Sequence, residues 1–231
     1  LVSDEGVKER VVKLGQTCNN LKNFKNQSDV WLGSSTPLPG LIRRAQQAGL
    51  SGLEGLLGVP AVLGGAIAMN AGTRYGEMSD TLQEVEVFVN GELERLSASA
   101  LGLRYRHSEI PQGAIITRAR LKLTPSTPEA VQAKLDQVDA ARKGQPKQKS
   151  AGCAFKNPVG YSAGKLIDEA GLKGTRVGDA MVSLEHGNFI VNLGNATAKD
   201  VLALLDLIRH RISIQYNDAV ALETEWQLWG F

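Results

Sequence analysis

Cysteine, histidine and charge imbalance are all scarce in this sequence, and each shortage closes off a class of function. The 231 residues hold two cysteines, Cys18 and Cys153, far apart and outside any Cys-x-x-Cys pair. That usage argues against a disulfide framework or a structural zinc, and suits a reducing cytosol. The three histidines, His107, His186 and His210, never fall in His-x-x-x-His spacing, so no metal cluster is expected. Lys and Arg number 26 against 24 Asp and Glu, a formal charge of +2. So small an excess removes the electrostatic reason to expect nucleic-acid or acidic-membrane binding. The Gly-x-Gly-x-x-Gly fingerprint of a dinucleotide site is absent. Gly160–Leu166 imitates a phosphate-binding P-loop, but it is one residue short between its glycines and carries Leu166 where a hydroxyl is needed. The 18-residue uncharged run 55–72 nominally reaches membrane-span length, yet five glycines, Pro60 and Asn70 interrupt it. It reads as a Gly-rich ligand loop. The sequence opens Leu1-Val2-Ser3-Asp4, with neither an initiator Met nor a signal-peptide pattern, so a processed or incomplete chain is expected.

What remains is the composition of a globular protein, 42% hydrophobic and 22% charged, long enough for one large or two small domains. Glycine is enriched, at 25 residues, and follows no collagen period. Short strands are predicted at Val7–Leu14 and Asp29–Gly33, and a helix over Pro37–Ala48 with Gly49 as its stop. Val85, Val87 and Val89 alternate with Glu84, Glu86 and Phe88 up to Asn90-Gly91, a hairpin signal. Ala114–Leu123 alternates again. Thr124–Pro128 is a Pro-bearing linker and a candidate boundary, followed by a helix capped by Thr127. A basic loop with Arg142, Lys143, Lys147 and Lys149 comes next; without interleaved aromatics it reads as a solvated surface. A short helix over Tyr161–Ala170, two strands flanking His186-Gly187-Asn188, an amphipathic helix over Thr197–Ile212 and a strand over Ala221–Leu228 complete the pattern.

Four stretches carry chemistry. In Gly58–Gly72, paired glycines let backbone N–H groups approach an anionic ligand, or they serve tight packing of a turn. Tyr105-Arg106-His107-Ser108 sets a planar guanidinium beside an aromatic ring, suited to a carboxylate or diphosphate or simply to solvent. Cys153, just after Gly152 and near Lys156, is a possible proton donor or a buried structural thiol. Leu222-Glu223-Thr224-Glu225-Trp226 would send both carboxylates to one strand face, which is either a wet surface or a place for an acid.

Read together, these stretches resemble the UDP-N-acetylenolpyruvoylglucosamine reductases of peptidoglycan precursor synthesis. The matching pieces are GLEGLLGVPAVLGGAIAMNAGTRYGE, YRHS, RKGQPKQKSAGCAFKNP, SAGKLIDEAGLKGTRVGDAMVSLEHGNFIVNLGNATAKDV and LETEW, in family order along nearly the whole chain. The resemblance implies an α+β protein in two parts. A FAD-binding domain of the vanillyl-alcohol-oxidase/PCMH type covers 1–124, and a smaller α+β substrate-binding domain covers 125–231. It lacks the extra tyrosine-bearing lid, as in the family's compact subtype. The family's Gly-x-Gly-Ser-Asn flavin segment would directly precede Leu1, so the flavin domain is expected to be incomplete at its N-terminus.

The same resemblance implies FAD and NADPH as cofactors, no metal, and a cytoplasmic role in cell-wall biogenesis. It implies flavin contacts from Gly58, Pro60, Gly64, Gly65, Asn70 and Gly72. Substrate contacts would come from Tyr105, Lys156, Asn157 and Glu169, the last at a place where some members carry Gln. In the implied chemistry, hydride from NADPH reaches the enolpyruvyl methylene carbon by way of FAD. Arg106 stabilises charge developing on the substrate carboxylate, Glu225 assists as a protonated donor, and Cys153 protonates the adjacent carbon. Many members carry Ser at that position, and a thiol is intrinsically the more acidic donor. Two alternatives stand beside this reading: another flavin oxidoreductase of the same architecture, and a catalytically silent module that binds the sugar nucleotide. A yellow protein that oxidises NADPH only with the enolpyruvyl substrate separates the reductase from the silent module.

Overall fold

The computed structural model describes every residue except Lys22, Asn23, Lys25, Asn26, Lys147 and Lys149. Of the basic loop, Lys147 and Lys149 therefore lie outside the described residues. The chain divides into two compact units. One is Val12–Lys143; the other combines Leu1–Val11 with Gly144–Phe231. The division falls one helix later than the Thr124–Pro128 linker, because that helix buries Val131 and Leu135 in the core of the first unit.

In the amino-terminal unit a four-stranded antiparallel sheet runs in the order Asp29–Gly33, Ile115–Lys122, Leu82–Val89, Glu92–Ser97. The Asn90-Gly91 turn adopts positive φ at both positions (52° and 87°), as a two-residue hairpin requires. Period-two patterning sends Val30, Leu32, Val85, Val87, Ala119 and Leu121 into the core. Glu86, expected on the polar face, is also buried. Arg118 grips it with two hydrogen bonds (2.9 and 2.6 Å) and Thr117 adds a third, so the carboxylate keeps its charge inside. Its pKa is held below the usual carboxylate range, chiefly by Arg118. Helix α1 (Leu38–Gln47) adds Leu38, Leu41, Ile42 and Ala45 to the same core and stops at Gly49, whose φ is +65°. A short α2 (Leu63–Ala68) and α3 (Pro128–Ala141) follow; Thr127 Oγ1 caps α3 by accepting from Ala130 N.

In the carboxy-terminal unit the sheet order is Arg176–Val177, Ala180–Val182, Phe189–Asn192, Ser150–Cys153, all antiparallel. Two helices, α4 (Ala163–Glu169) and α5 (Ala198–Gln215), complete the core with Leu166, Ile167, Leu204, Leu205, Ile208 and Ile212. Thr197 and Asp200 form a reciprocal capping box on α5. A second cap arrives from the far end of the sequence, as the Asp4 carboxylate accepts from Ala198 N (2.8 Å) and Lys199 N (3.3 Å).

Two predicted strands are absent. Val7–Leu14 forms no ladder among the described residues; its charged neighbours keep Val11 and Val12 exposed, so nothing stabilises pairing. Ala221–Leu228 carries only a single bridge, Phe155 to Thr224, since its partner is the short loop segment 154–156 rather than a strand. No described helix is long and apolar enough to cross a membrane.

Because Thr197 closes the first turn of the helix that supplies Leu204, Leu205, Ile208 and Ile212 to the second core, Thr197→Ala should lower stability by about 1 kcal/mol in urea unfolding.

Candidate active site

The expected residues lie on loops and at the ends of short helices and strands in each unit. In the amino-terminal unit, the segment Ser34–Thr36 leads into α1 and runs beside the turn that opens α2. Leu63 N donates to Thr36 O (2.9 Å) and Gly64 N to Ser34 O (2.8 Å). The approach is close enough that a Cβ on Gly64 would lie 2.9 Å from Ser34 Cβ, whereas one on Gly65 would meet open space. Ser34 Oγ and Thr36 Oγ1 are buried with no hydrogen-bond partner among the described residues. Two orphaned hydroxyls beside a Gly-Gly turn form a cradle for an oxygen-rich anionic group. The expected flavin diphosphate fits that chemistry. The hydroxyl run Ser34-Ser35-Thr36 before Pro37 was the available sequence signal for these two residues, which motif reading missed.

The same unit ties the Tyr105–Ser108 turn to the end of α2. Ser108 Oγ donates to Ala68 O and Arg106 Nη2 to Gly72 O, both at 2.7 Å. Arg106 holds positive φ (53°) and its guanidinium stacks 4.9 Å from the Tyr105 ring centroid. Between these turns lies Asn70, fully buried. Its Oδ1 accepts from Ser79 N, while Nδ2 donates to Glu77 Oε1 and Arg104 O. Its side-chain amide is thus engaged within the unit, pinning the loop. Gly72 is locked in the same turn, since a Cβ there would fall 2.4 Å from Glu77 Cβ. Gly58 and Pro60 are exposed, and Arg142 Nη2 donates to Gly58 O (3.1 Å).

In the carboxy-terminal unit, Cys153 ends its strand just after Gly152 (φ +80°) and is partly exposed; neither it nor Cys18 forms a disulfide. The next peptide is a junction. Ala154 N donates to Asn188 O (2.8 Å), and Ala154 O accepts from Glu225 N (2.9 Å). One residue on, Lys156 N donates to Glu223 O and Lys156 Nζ pairs with the Glu223 carboxylate (2.6 Å). The expected alternation is therefore resolved: Glu223 is the exposed partner of Lys156, and Glu225 is half-buried beside the junction. Arg209 on α5 donates to Leu222 O (3.3 Å) and to Thr224 Oγ1, and lies over the Phe155 ring. Asn157 Oδ1 accepts from Ala163 N (2.9 Å) at the start of α4. Glu169, at the other end of α4, pairs with Lys165 (3.6 Å) and accepts weakly from the Tyr216 hydroxyl, whose pKa is raised by desolvation and by that carboxylate. Asn188 and Arg209 were missed in the sequence, where Asn188 reads as a turn residue and Arg209 as an ordinary helix surface residue. The described residues contain no cluster able to hold a metal ion.

Residues 145–229 match the family described as "UDP-N-acetylenolpyruvoylglucosamine reductase, C-terminal domain", and residues 1–97 match an "FAD binding domain". A UDP-N-acetylenolpyruvoylglucosamine reductase of Thermus thermophilus is 55% identical over 99% of this chain and 82% of its own length. The enzyme of that name from Deinococcus radiodurans is 52% identical over 99% of this chain and 80% of its own. Among solved structures, the crystal structure of UDP-N-acetylenolpyruvylglucosamine reductase from Thermus caldophilus aligns with a TM-score of 0.89 at 55% identity, covering 98% of this chain and 80% of that one.

The cradle generates one test. Ser34→Ala combined with Thr36→Val should leave the flavin-free protein as stable or up to about 3 kcal/mol more stable, since buried unpartnered hydroxyls are removed. The same change should weaken FAD retention, read by flavin fluorescence after dialysis. A second test concerns His186, held below the usual imidazole range by burial first and by Lys173 next. Unfolding releases an imidazole that binds a proton more readily. Stability of this unit should therefore be fully present above about pH 6.5 and fall as pH drops through and below it. His186→Gln should flatten that part of the thermal-unfolding pH profile.

Proposed function

The chain belongs to the UDP-N-acetylenolpyruvoylglucosamine reductase family, and from that premise we propose how its own residues divide the work of an FAD-dependent reductase. The reaction is the NADPH-dependent reduction of the enolpyruvyl ether of UDP-N-acetylenolpyruvoylglucosamine, in peptidoglycan precursor synthesis. The chemistry FAD supplies when bound is delivery of hydride to the enolpyruvyl methylene carbon.

The observation that carries the division of roles is the junction peptide. Cys153 directly precedes Ala154, and the Glu225 backbone N–H donates to Ala154 O (2.9 Å), so Ala154 joins the backbones that carry both groups. Cys153 donates the proton to the carbon next to the substrate carboxylate, and Glu225 assists. Arg106 balances the negative charge that develops on that carboxylate. Its permanent cation, its bond to Gly72 O and its stacking on Tyr105 support the assignment, because a preorganised charge needs no reorientation during reaction.

For the cofactor, the Gly64-Gly65 turn with Ser34 and Thr36 takes the diphosphate, with Gly58 and Pro60 on the flanking loop. Asn70 and Gly72 contribute by holding the shape of that loop. Lys156, Asn157, Glu169 and Tyr105 form the proposed substrate contacts. By motif order the flavin-binding domain is proposed to cover 1–124 and the substrate-binding domain 125–231, with Leu1–Val11 packed in the second compact unit and α3 in the first. The cytoplasm is the proposed compartment, consistent with two cysteines outside any disulfide and with a sugar-nucleotide substrate.

Anaerobic half-reactions test the roles. Cys153→Ala should let NADPH bleach the flavin at the parent rate while abolishing reoxidation by the enolpyruvyl substrate; normal turnover would remove Cys153 from the acid role. Arg106→Ala should lose about 3 kcal/mol or more of transition-state stabilisation, measured as kcat/KM, comparable to removing one oxyanion donor. An unchanged kcat/KM would sink that assignment.

A further inference from the structure

We propose that Asn188 is the positioning residue of the proton-donating peptide, an inference that rests on the roles given above to Cys153 and Glu225. Asn188 is 3% exposed, and its carboxamide directs one donor and one acceptor at the backbone of a single residue, Phe155. Its Nδ2 donates to Phe155 O (2.8 Å) and its Oδ1 accepts from Phe155 N (2.9 Å). Its own carbonyl accepts from Ala154 N (2.8 Å), and its N–H donates to His186 Nδ1 (3.1 Å). A carboxamide with one donor and one acceptor thus copies the edge of a β-strand and presents it to Phe155 where regular pairing has stopped.

The consequence reaches both candidate groups. Regular pairing of the Ser150–Cys153 strand with its neighbour ends at Cys153–Phe189, after a register shift. Beyond that point, Asn188 supplies three of the bonds that fix Ala154 and Phe155. Glu225 hangs from Ala154 O, and Thr224 bridges Phe155, so the C-terminal segment takes its register from the peptide that Asn188 holds. Asn188 is not itself a reacting group in that scheme. It acts by fixing the backbone that carries one and anchors the other. A displacement of about 1 Å at a reacting group costs roughly 100-fold in rate, which sets the size of the effect.

The test uses the flavin-loaded full chain carrying Asn188→Asp, which keeps shape and the acceptor but replaces the donor to Phe155 O with a second acceptor. NADPH-driven bleaching should stay within about twofold of the parent, and substrate affinity, titrated by the flavin spectrum, within about threefold. Substrate-driven reoxidation should slow by about 100-fold. The deficit relative to the parent should shrink as pH falls and protonation restores a donor on the new carboxyl. In flavin-free protein, amide hydrogen exchange should accelerate at Ala154 and Phe155. Should Asn188→Asp fail to fold, Asn188→Ser is read by the same measurements. Reoxidation within about twofold of the parent, or an equal fall in both half-reactions, would overturn the proposal. Normal reoxidation by Cys153→Ala overturns instead the underlying role of Cys153. Normal reoxidation by Asn188→Asp beside an inactive Cys153→Ala overturns the role of Asn188 alone.

Discussion

A backbone N–H or carbonyl that leaves its sheet or helix inside a protein must still find a partner, and in each unit a buried asparagine supplies it. Asn70 does so in the first unit, joining the end of α2 to Ser79, Glu77 and Arg104. Asn188 does so in the second, joining the strand end at Cys153 to the peptide beyond it. Functional side chains sit on loops because loops can aim them, but an unpinned loop would not hold them to a fraction of an ångström. Asparagine suits the task because its amide carries a donor and an acceptor on one short, stiff stem. The working geometry of both units therefore depends on two carboxamides that touch no ligand in the proposed scheme.

Charge is handled differently in the two places where it is abundant. On the sheet of the first unit, Glu86 is held by Arg118, and Trp31 lies between Arg95 and Arg118 at 5.1 and 4.9 Å. Arg120 pairs with Asp29 and Glu84. The Arg120 pairs are partly exposed, so they contribute little stability and mainly orient neighbouring strands. Arg106 is treated otherwise. It is stacked on Tyr105 and fixed by Gly72 O, which keeps a cation oriented for an anionic partner.

Local signals in the sequence translated well where the determinant was local. Asn90-Gly91 specified its hairpin through positive φ, Thr197 with Asp200 specified the start of α5, and Gly49 ended α1. Long-range determinants did not translate. Ala221–Leu228 has the alternation of a strand, yet nothing in its residues reveals that its partner is a loop rather than a strand. The site was legible as motifs: Arg106, Cys153 and Glu225 stood out as residue types in suggestive settings. Their supports did not. Asn188 sits in a His-Gly-Asn turn that any hairpin could use, and Ser34 and Thr36 look like ordinary helix-entry residues until burial strips them of partners.

The second cap on α5 has a kinetic side. Asp4 reaches Ala198 across 194 positions, and the backbone of Leu1 and Ser3 bonds with Trp229. Closing a loop of that length carries a large entropic cost before any contact rewards it, so such contacts belong to the late stages of folding. The strap that they secure runs on from Glu225. Helix α5 and its sheet can therefore consolidate first, with the acidic strap fastening last and opening first when the fold relaxes.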